Sequence, residues 1–187
     1  MNRRGFLGGL GGSAITIATA LWFSSGEALA ALNSAAIEAL GKNWRDYLAA
    51  DAEIELSTDP VKRDAAEWRK LVGKRAYTIL FKEGTEAPNS HPYNDEKREG
   101  LFVCAACSLP LFSSAMKYDS RTGWPSFFTS IPNHLATKKD FKLIWPRTEY
   151  HCVKCGGHQG HLFDDGPRPT KQRWCNNGLA LRFIPRG

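Results

Sequence analysis

No run of five or six lysines or arginines occurs in this chain of 187 residues, so its formal charge of +6 is a scattered basic excess and not a nucleic-acid arm. No internal repeat is present beyond two short cysteine pairs, which excludes a solenoid or an array. No low-complexity tract follows the first thirty residues, so nothing marks a disordered linker. Cysteine itself is sparse, with five residues. A chain of this length behind a removable leader makes one globular domain with a single core.

What is present begins with those cysteines. Four form two tight pairs, Cys104-Ala105-Ala106-Cys107 and Cys152-Val153-Lys154-Cys155, and the fifth stands alone in Arg173-Trp174-Cys175-Asn176-Asn177. Two Cys-x-x-Cys pairs supply the four thiolates of a closed tetrahedral zinc site, which leaves no position for water and is structural. Residues 108–151 lie between the pairs, more than a zinc ribbon uses, so a whole β segment sits inside the metal-closed loop. Two separate disulfides or two dithiol redox motifs are the alternatives for the same pairs. His151 adjoins Cys152 and is read as an ordinary polar neighbour, since four sulfurs already close the shell.

The first thirty residues read as a targeting segment. Arg3 and Arg4 precede a mild apolar run over residues 6–23, followed by Ala28-Leu29-Ala30. That order is a charged region, an apolar region and a small-x-small cleavage site, and adjacent arginines before Phe6-Leu7 resemble a twin-arginine export signal. Cleavage after Ala30 and a periplasmic location are expected. An uncleaved membrane anchor is the alternative, although Gly8, Gly9, Gly11 and Gly12 make the run weakly apolar. Twin-arginine export moves folded proteins, so the chain would take up its metal before meeting an oxidising compartment.

Three units are expected: the leader over 1–30, a helical extension over 31–63 and a catalytic domain over 64–187. Leu32, Ile37, Leu40, Trp44, Tyr47 and Leu48 recur near helical spacing through about residue 59. Thr58-Asp59-Pro60 offers cap chemistry for a second helix through residues 65–71, which Gly73 stops, and residues 75–82 are read as a further short helix. Residues 83–100 form a long loop. Short β-prone runs follow at 101–103, 142–145, 148–152 and 179–184, with the last strand beginning just after Cys175. The fold class is mainly β, an antiparallel domain with helices at its N-terminal side.

Around Cys175 stand groups that activate a thiol. Arg173 is a cation two residues away, and His158 and His161 lie in Gly156-Gly157-His158-Gln159-Gly160-His161, ahead of Asp164-Asp165-Gly166-Pro167. A cation raises the thiolate fraction and a histidine delivers a proton near neutral pH. An inert buried cysteine beside loop-capping histidines fits these residues equally well. Trp124, in Gly123-Trp124-Pro125, is open between a core aromatic and a wall for a ligand.

Taken together, Arg121-Thr122-Gly123-Trp124-Pro125-Ser126-Phe127, both cysteine pairs, Gly157-His158-Gln159-Gly160-His161-Leu162-Phe163-Asp164-Asp165-Gly166-Pro167 and Arg173-Trp174-Cys175-Asn176-Asn177 resemble the MsrB family of methionine-R-sulfoxide reductases, from about residue 67 to 184. The resemblance implies a zinc-stapled, partly open β fold of two sheets and no organic cofactor. It makes Cys175 the nucleophile, His161 the acid for the leaving oxygen and His158 its companion. Arg173, Asp165 and Asn177 would orient them, and Trp124 and Phe127 would receive the substrate. Oxidised methionine in proteins or peptides is the implied substrate, with a monomer and no nucleic-acid partner expected.

Attack by Cys175 yields a sulfenic acid. Many family members carry a resolving cysteine at the position of Thr122, and here only the metal-pair cysteines remain, so an external thioredoxin-like thiol is expected to restore Cys175. Asn176, where the family usually has an apolar residue, and Gly178 in place of a common serine are further departures. A zinc-stabilised binding module and a dithiol oxidoreductase are the competing classes. Scattered basic residues argue against the first, and the second needs a metal-free pair.

Overall fold

The computed structural model describes residues 33–141 and 146–187. The leader and the β-prone run at 142–145 lie outside the described residues. The chain opens with helix α1 (Ser34–Lys42), capped by Asn33, whose side-chain oxygen accepts the Ala36 N–H at 2.9 Å. A 3-10 turn (Trp44–Tyr47) follows, and then the chain runs to Asp64 without helix or strand, through one turn at Ala50–Asp51. The helical extension is therefore met only in its first part. From residue 55 onward, local side-chain bonds such as Ser57 N–H to Glu55 Oε1 (2.8 Å) and Asp59 N–H to Ser57 Oγ (2.9 Å) compete with helix.

This run straps the body. Glu55 N–H donates to the Ser108 carbonyl at 3.2 Å and Val61 N–H to the Lys154 carbonyl at 2.7 Å. Trp44 is buried edge-on against His134, and Ile54 and Val61 pack on the core.

Helix α2 (Ala65–Lys82) starts from Asp64 and not from Thr58-Asp59-Pro60. Asp64 Oδ1 accepts from Ala66 and Glu67 N–H, both at 2.8 Å, while Glu67 returns a carboxylate oxygen to Asp64 N–H at 2.9 Å. This reciprocal cap satisfies the first orphan donors of the helix. Gly73, at φ +78° and ψ 164°, breaks the helix as its position suggested, and the chain then resumes helix through Lys82. The buried face, Trp68, Ala76, Tyr77, Ile79 and Leu80, packs toward the strand that carries the histidines.

Nine strands follow among the described residues: β1 (Gly100–Cys104), β2 (Pro110–Ser113), β3 (Lys117–Tyr118), β4 (Ser126–Phe127), β5 (Leu135–Asp140), β6 (Arg147–Cys152), β7 (His158–Phe163), β8 (Arg173–Asn176) and β9 (Leu181–Pro185). They form two antiparallel sheets, β2-β1-β9 and β3-β4-β8-β7-β6-β5. The mainly β, two-sheet architecture is the one expected. Aromatic rings fill the interior: Phe112 stacks on Phe127 at 4.0 Å, Phe102 meets Phe127 edge-on at 5.1 Å, and Tyr150 meets Trp174 edge-on at 4.9 Å.

Two strand assignments change. Cys175 lies within a strand of its own, β8, in the interior of the larger sheet, and not in a connection leading into the last strand. Residues 178–180 form a 3-10 turn, so β9 starts only at Leu181.

Candidate active site and metal centre

Both cysteine pairs sit in matching turns. Cys104 ends β1 and Cys152 ends β6. In each, the leading cysteine donates its N–H five residues ahead (Cys104 to Leu109, 2.8 Å; Cys152 to Gly157, 3.0 Å) and accepts from four ahead (Ser108, 2.9 Å; Gly156, 2.9 Å). Ser108 and Gly156 both take the left-handed conformation that closes such a turn, at φ +61° and +70°. The turns bring all four sulfurs within 4.8 Å of one another. Cys107 and Cys152 sulfurs are 3.5 Å apart and Cys104 and Cys155 sulfurs 3.6 Å apart, and all five cysteines are free thiols. Tetrahedral thiolates at a zinc–sulfur distance near 2.3 Å stand about 3.8 Å apart, so the cage fits a metal ion and not two disulfides. His151 is not part of this group; its Nδ1 bonds Glu149 Oε2 at 3.3 Å.

The catalytic candidates come together on one line across the larger sheet. In register, Tyr118 faces Ser126, Ser126 faces Cys175, Cys175 faces His161, His161 faces Glu149 and Glu149 faces Lys138. Directly opposed residues share a face and hold Cβ atoms about 4.5–5.5 Å apart, which puts the His161 and Cys175 side chains on one face as cross-strand neighbours. The histidine segment, which none of the β-prone runs in the sequence covered, is strand β7. Gly160 makes this close approach possible: a Cβ there would stand 1.9 Å from the Cys175 carbonyl oxygen.

His158 and His161 are three apart and would point to opposite faces of a regular strand. A register shift between Tyr150 and His151 leaves Gln159 as an extra residue, and this bulge turns both imidazoles together, with ring centroids 5.4 Å apart. Each ring has its own carboxylate. His158 Nδ1 pairs with buried Glu149 at 2.7 Å, and His161 Nε2 with Asp140 Oδ2 at 2.8 Å; Arg147 donates to the same Asp140 oxygen at 2.6 Å. Burial pushes Glu149 up, but hydrogen bonds from His151 and His158 and the charges of His158 and Lys138 outweigh it and bring the carboxyl to about 2. Burial lowers the His161 pKa, with the Asp140 hydrogen bond opposing and Arg147 and His158 adding to the fall.

Arg173 flanks the nucleophile as expected. Asp165 grips its guanidinium at 2.7 and 2.8 Å, and it stacks over Phe163 at 4.2 Å. The net effect on Cys175 differs from the sequence expectation. Burial raises the thiol pKa above the ordinary 9.0, and the opposing pull of Arg173 and the Thr122 hydroxyl does not overcome it.

Trp124 is half-buried at the rim, its indole N–H donating to the Glu86 carbonyl at 3.1 Å. Beside it lies a polar cleft of about 270 Å³ lined by residues that include Asn89, Asn94, Tyr118, Ser120 and Arg121. Phe127, expected to touch substrate, is fully buried and stacked on Phe112, so it is a core residue. Its β4 position points it away from the face that Ser126 shares with Cys175. Asn177 is committed to backbone: its Oδ1 accepts the Glu86 N–H at 3.1 Å and its Nδ2 donates to the Gln159 carbonyl at 3.0 Å. It orients the strands around Cys175 and not a reacting atom.

Sequence reasoning missed Glu149, Asp140 and Glu86. Glu86 is buried and receives Gly178 and Leu179 N–H at 2.5 and 3.0 Å, tying the long loop to the turn after β8. Alternation of Glu149 with apolar neighbours in β6 was the available signal for the first.

A family model described as the SelR domain matches residues 72–185. The chain belongs to this family. Curated relatives carry the name peptide methionine sulfoxide reductase MsrB. The protein from Hahella chejuensis is 44% identical over 126 residues, 67% of this chain and 91% of that one. That from Agrobacterium fabrum is 42% identical over 132 residues, 70% of this chain and 98% of that one. That from Methanosarcina barkeri is 41% identical over 124 residues, 66% of this chain and 87% of that one. The strap over residues 44–63 lies outside the SelR match.

Proposed function

We propose that this SelR-family enzyme reduces the R epimer of methionine sulfoxide, in proteins and peptides and as the free amino acid, with Cys175 as nucleophile. The supporting observation is the register pair of Cys175 and His161 beside the Trp124 rim. The Cys175 sulfur attacks the sulfoxide sulfur, and a sulfur–sulfur bond forms as the sulfur–oxygen bond of the substrate breaks; the departed oxygen, as water, then adds to the Cys175 sulfur and breaks that sulfur–sulfur bond. The proton released by the resting thiol is the one that the departing oxygen needs, and His161, neutral at rest and oriented by Asp140, carries it across. Methionine leaves and Cys175 holds the oxygen as a sulfenic acid. Arg173 balances the charge that builds on sulfur during attack, and His158, held by Glu149, fixes the second imidazole. The indole face of Trp124 receives the S-methyl group, a contact worth ~0.3–1.5 kcal/mol.

Recovery consumes two external thiols from a thioredoxin-like donor. The first displaces water from the sulfenic acid and forms a mixed disulfide; the second releases the donor's disulfide and frees Cys175. The four remaining cysteines hold one structural zinc ion and stay out of the cycle. We place the enzyme in the periplasm as a monomer, exported through the twin-arginine machinery with its leader cleaved after Ala30, where it repairs oxidised exported proteins. Lysine in place of Arg3 and Arg4 should then abolish export.

The deciding assay supplies separated R and S epimers, in peptide and free form, with a dithiol reductant. Turnover of the R epimer is expected, and turnover of the S epimer alone would refute the assignment.

A further inference from the structure

Two buried amides that the reaction does not use lie back to back between the metal centre and the nucleophile. Gln159 is the bulge residue of β7 and Asn176 directly follows Cys175; both are completely buried. Gln159 Nε2 donates to the Cys104 sulfur at 3.4 Å, and its Oε1 accepts from Asn176 Nδ2 at 3.4 Å. Asn176 Nδ2 also donates to the Asn177 carbonyl at 2.9 Å, and its Oδ1 accepts the Tyr150 hydroxyl at 2.8 Å. A continuous line of hydrogen bonds thus runs from Tyr150 through Asn176 and Gln159 to a metal-site sulfur.

Such a line is costly unless each member is satisfied, because an unpaired buried amide loses ~1–3 kcal/mol while a pair of apolar side chains fills the same space without that risk. The Asn176 side chain points into this line and is satisfied at both ends of its amide. A metal-bound thiolate keeps negative charge and accepts hydrogen bonds; a donor fixes its direction and withdraws electron density from it. Gln159 supplies that donor without adding a charge.

We propose that Gln159 is a positioning residue of the metal centre, its amide aiming the Cys104 sulfur at the ion while Asn176 locks that amide from the nucleophile's own strand. The metal cage and β8 are thereby fixed to each other. This rests on the metal reading of the four cysteines and is independent of the sulfoxide chemistry.

The test uses the zinc-loaded protein and variants Gln159→Leu, Asn176→Leu and the double replacement, with Gln159→Met as a second variant of matching length should the leucine fail to fold. Chelator-driven zinc release should accelerate in Gln159→Leu on the order of 10–100-fold, as loss of a ligand-orienting partner does. In cobalt-substituted protein the thiolate-to-cobalt charge-transfer band should move to lower energy, a change that mere loosening of the fold would not give. Asn176→Leu should lower the melting temperature more than the double variant does, since the double removes both partners of the amide pair. Unchanged release rates and an unchanged cobalt spectrum in both Gln159 variants, or strictly additive melting shifts, would overturn the proposal. A wild-type protein that takes up no metal would overturn it together with the metal reading.

Discussion

The metal cluster and the Cys175 row set the same atom in contrasting surroundings. At the cluster, four sulfurs turn inward on one another, with Cys104 and Cys152 fully buried and backbone turns holding each pair. In the row, one sulfur stands among unlike groups: an imidazole opposite, a guanidinium two residues back and a hydroxyl beyond. Four identical donors converging on a point make a site for a cation; one sulfur beside a proton carrier makes a site for chemistry. The difference comes from where the chain places each cysteine, at strand ends in tight turns or in mid-strand on a shared face.

The largest effect expected from breaking this contrast is on the cluster side. Cys152→Ser should abolish metal binding and with it a cooperative melting transition, because structural zinc contributes about 10 kcal/mol or more and a domain's whole stability is about 5–15 kcal/mol. Metal analysis and circular dichroism check this. Cys175→Ser should do the reverse, keeping full metal content and melting temperature while turnover falls on the order of 10⁴-fold or more. Next in size, His161→Gln should reduce kcat by roughly 10²–10⁴-fold with the metal retained.

Deleting residues 31–63 removes the bonds from Glu55 and Val61 to Ser108 and Lys154, one in each cysteine turn, and uncovers the core beneath Trp44. A loss of a few kcal/mol and faster metal release are expected, read by melting and a chelator assay. Smallest is a pH effect. Alkylation of Cys175 by iodoacetamide should rise with a midpoint above 9.0, since burial raises the thiol, and Arg173→Leu should move that midpoint higher still. A midpoint below 9.0 in the unaltered protein would contradict this.

Much of this contrast was legible in the residues. Two Cys-x-x-Cys pairs with one cysteine left over already separate structure from chemistry, and Gly73 and the apolar faces of residues 65–82 mark a broken helix. Strand β7 was hidden because Gly160 weakens its β propensity; this glycine is there for the approach of the Cys175 carbonyl, a tertiary reason that no local pattern carries. The bulge at Gln159 was equally invisible, and with it the way two histidines three apart share a face. Phe127 misled because it neighbours the Trp124 rim in sequence while strand alternation sends it to the core. Thr58-Asp59-Pro60 resembled a cap, but Asp64 with Glu67 makes the reciprocal one.

The central claim is that one sulfur reacts while four hold a metal ion. Its most direct test is a single turnover of metal-loaded protein with methionine-R-sulfoxide and no reductant, followed by peptide mass spectrometry and metal analysis. The prediction is one added oxygen on the peptide bearing Cys175, unmodified cysteines 104, 107, 152 and 155, and no metal released. Oxygen or a disulfide on any of those four, or metal lost in step with methionine formed, would contradict it.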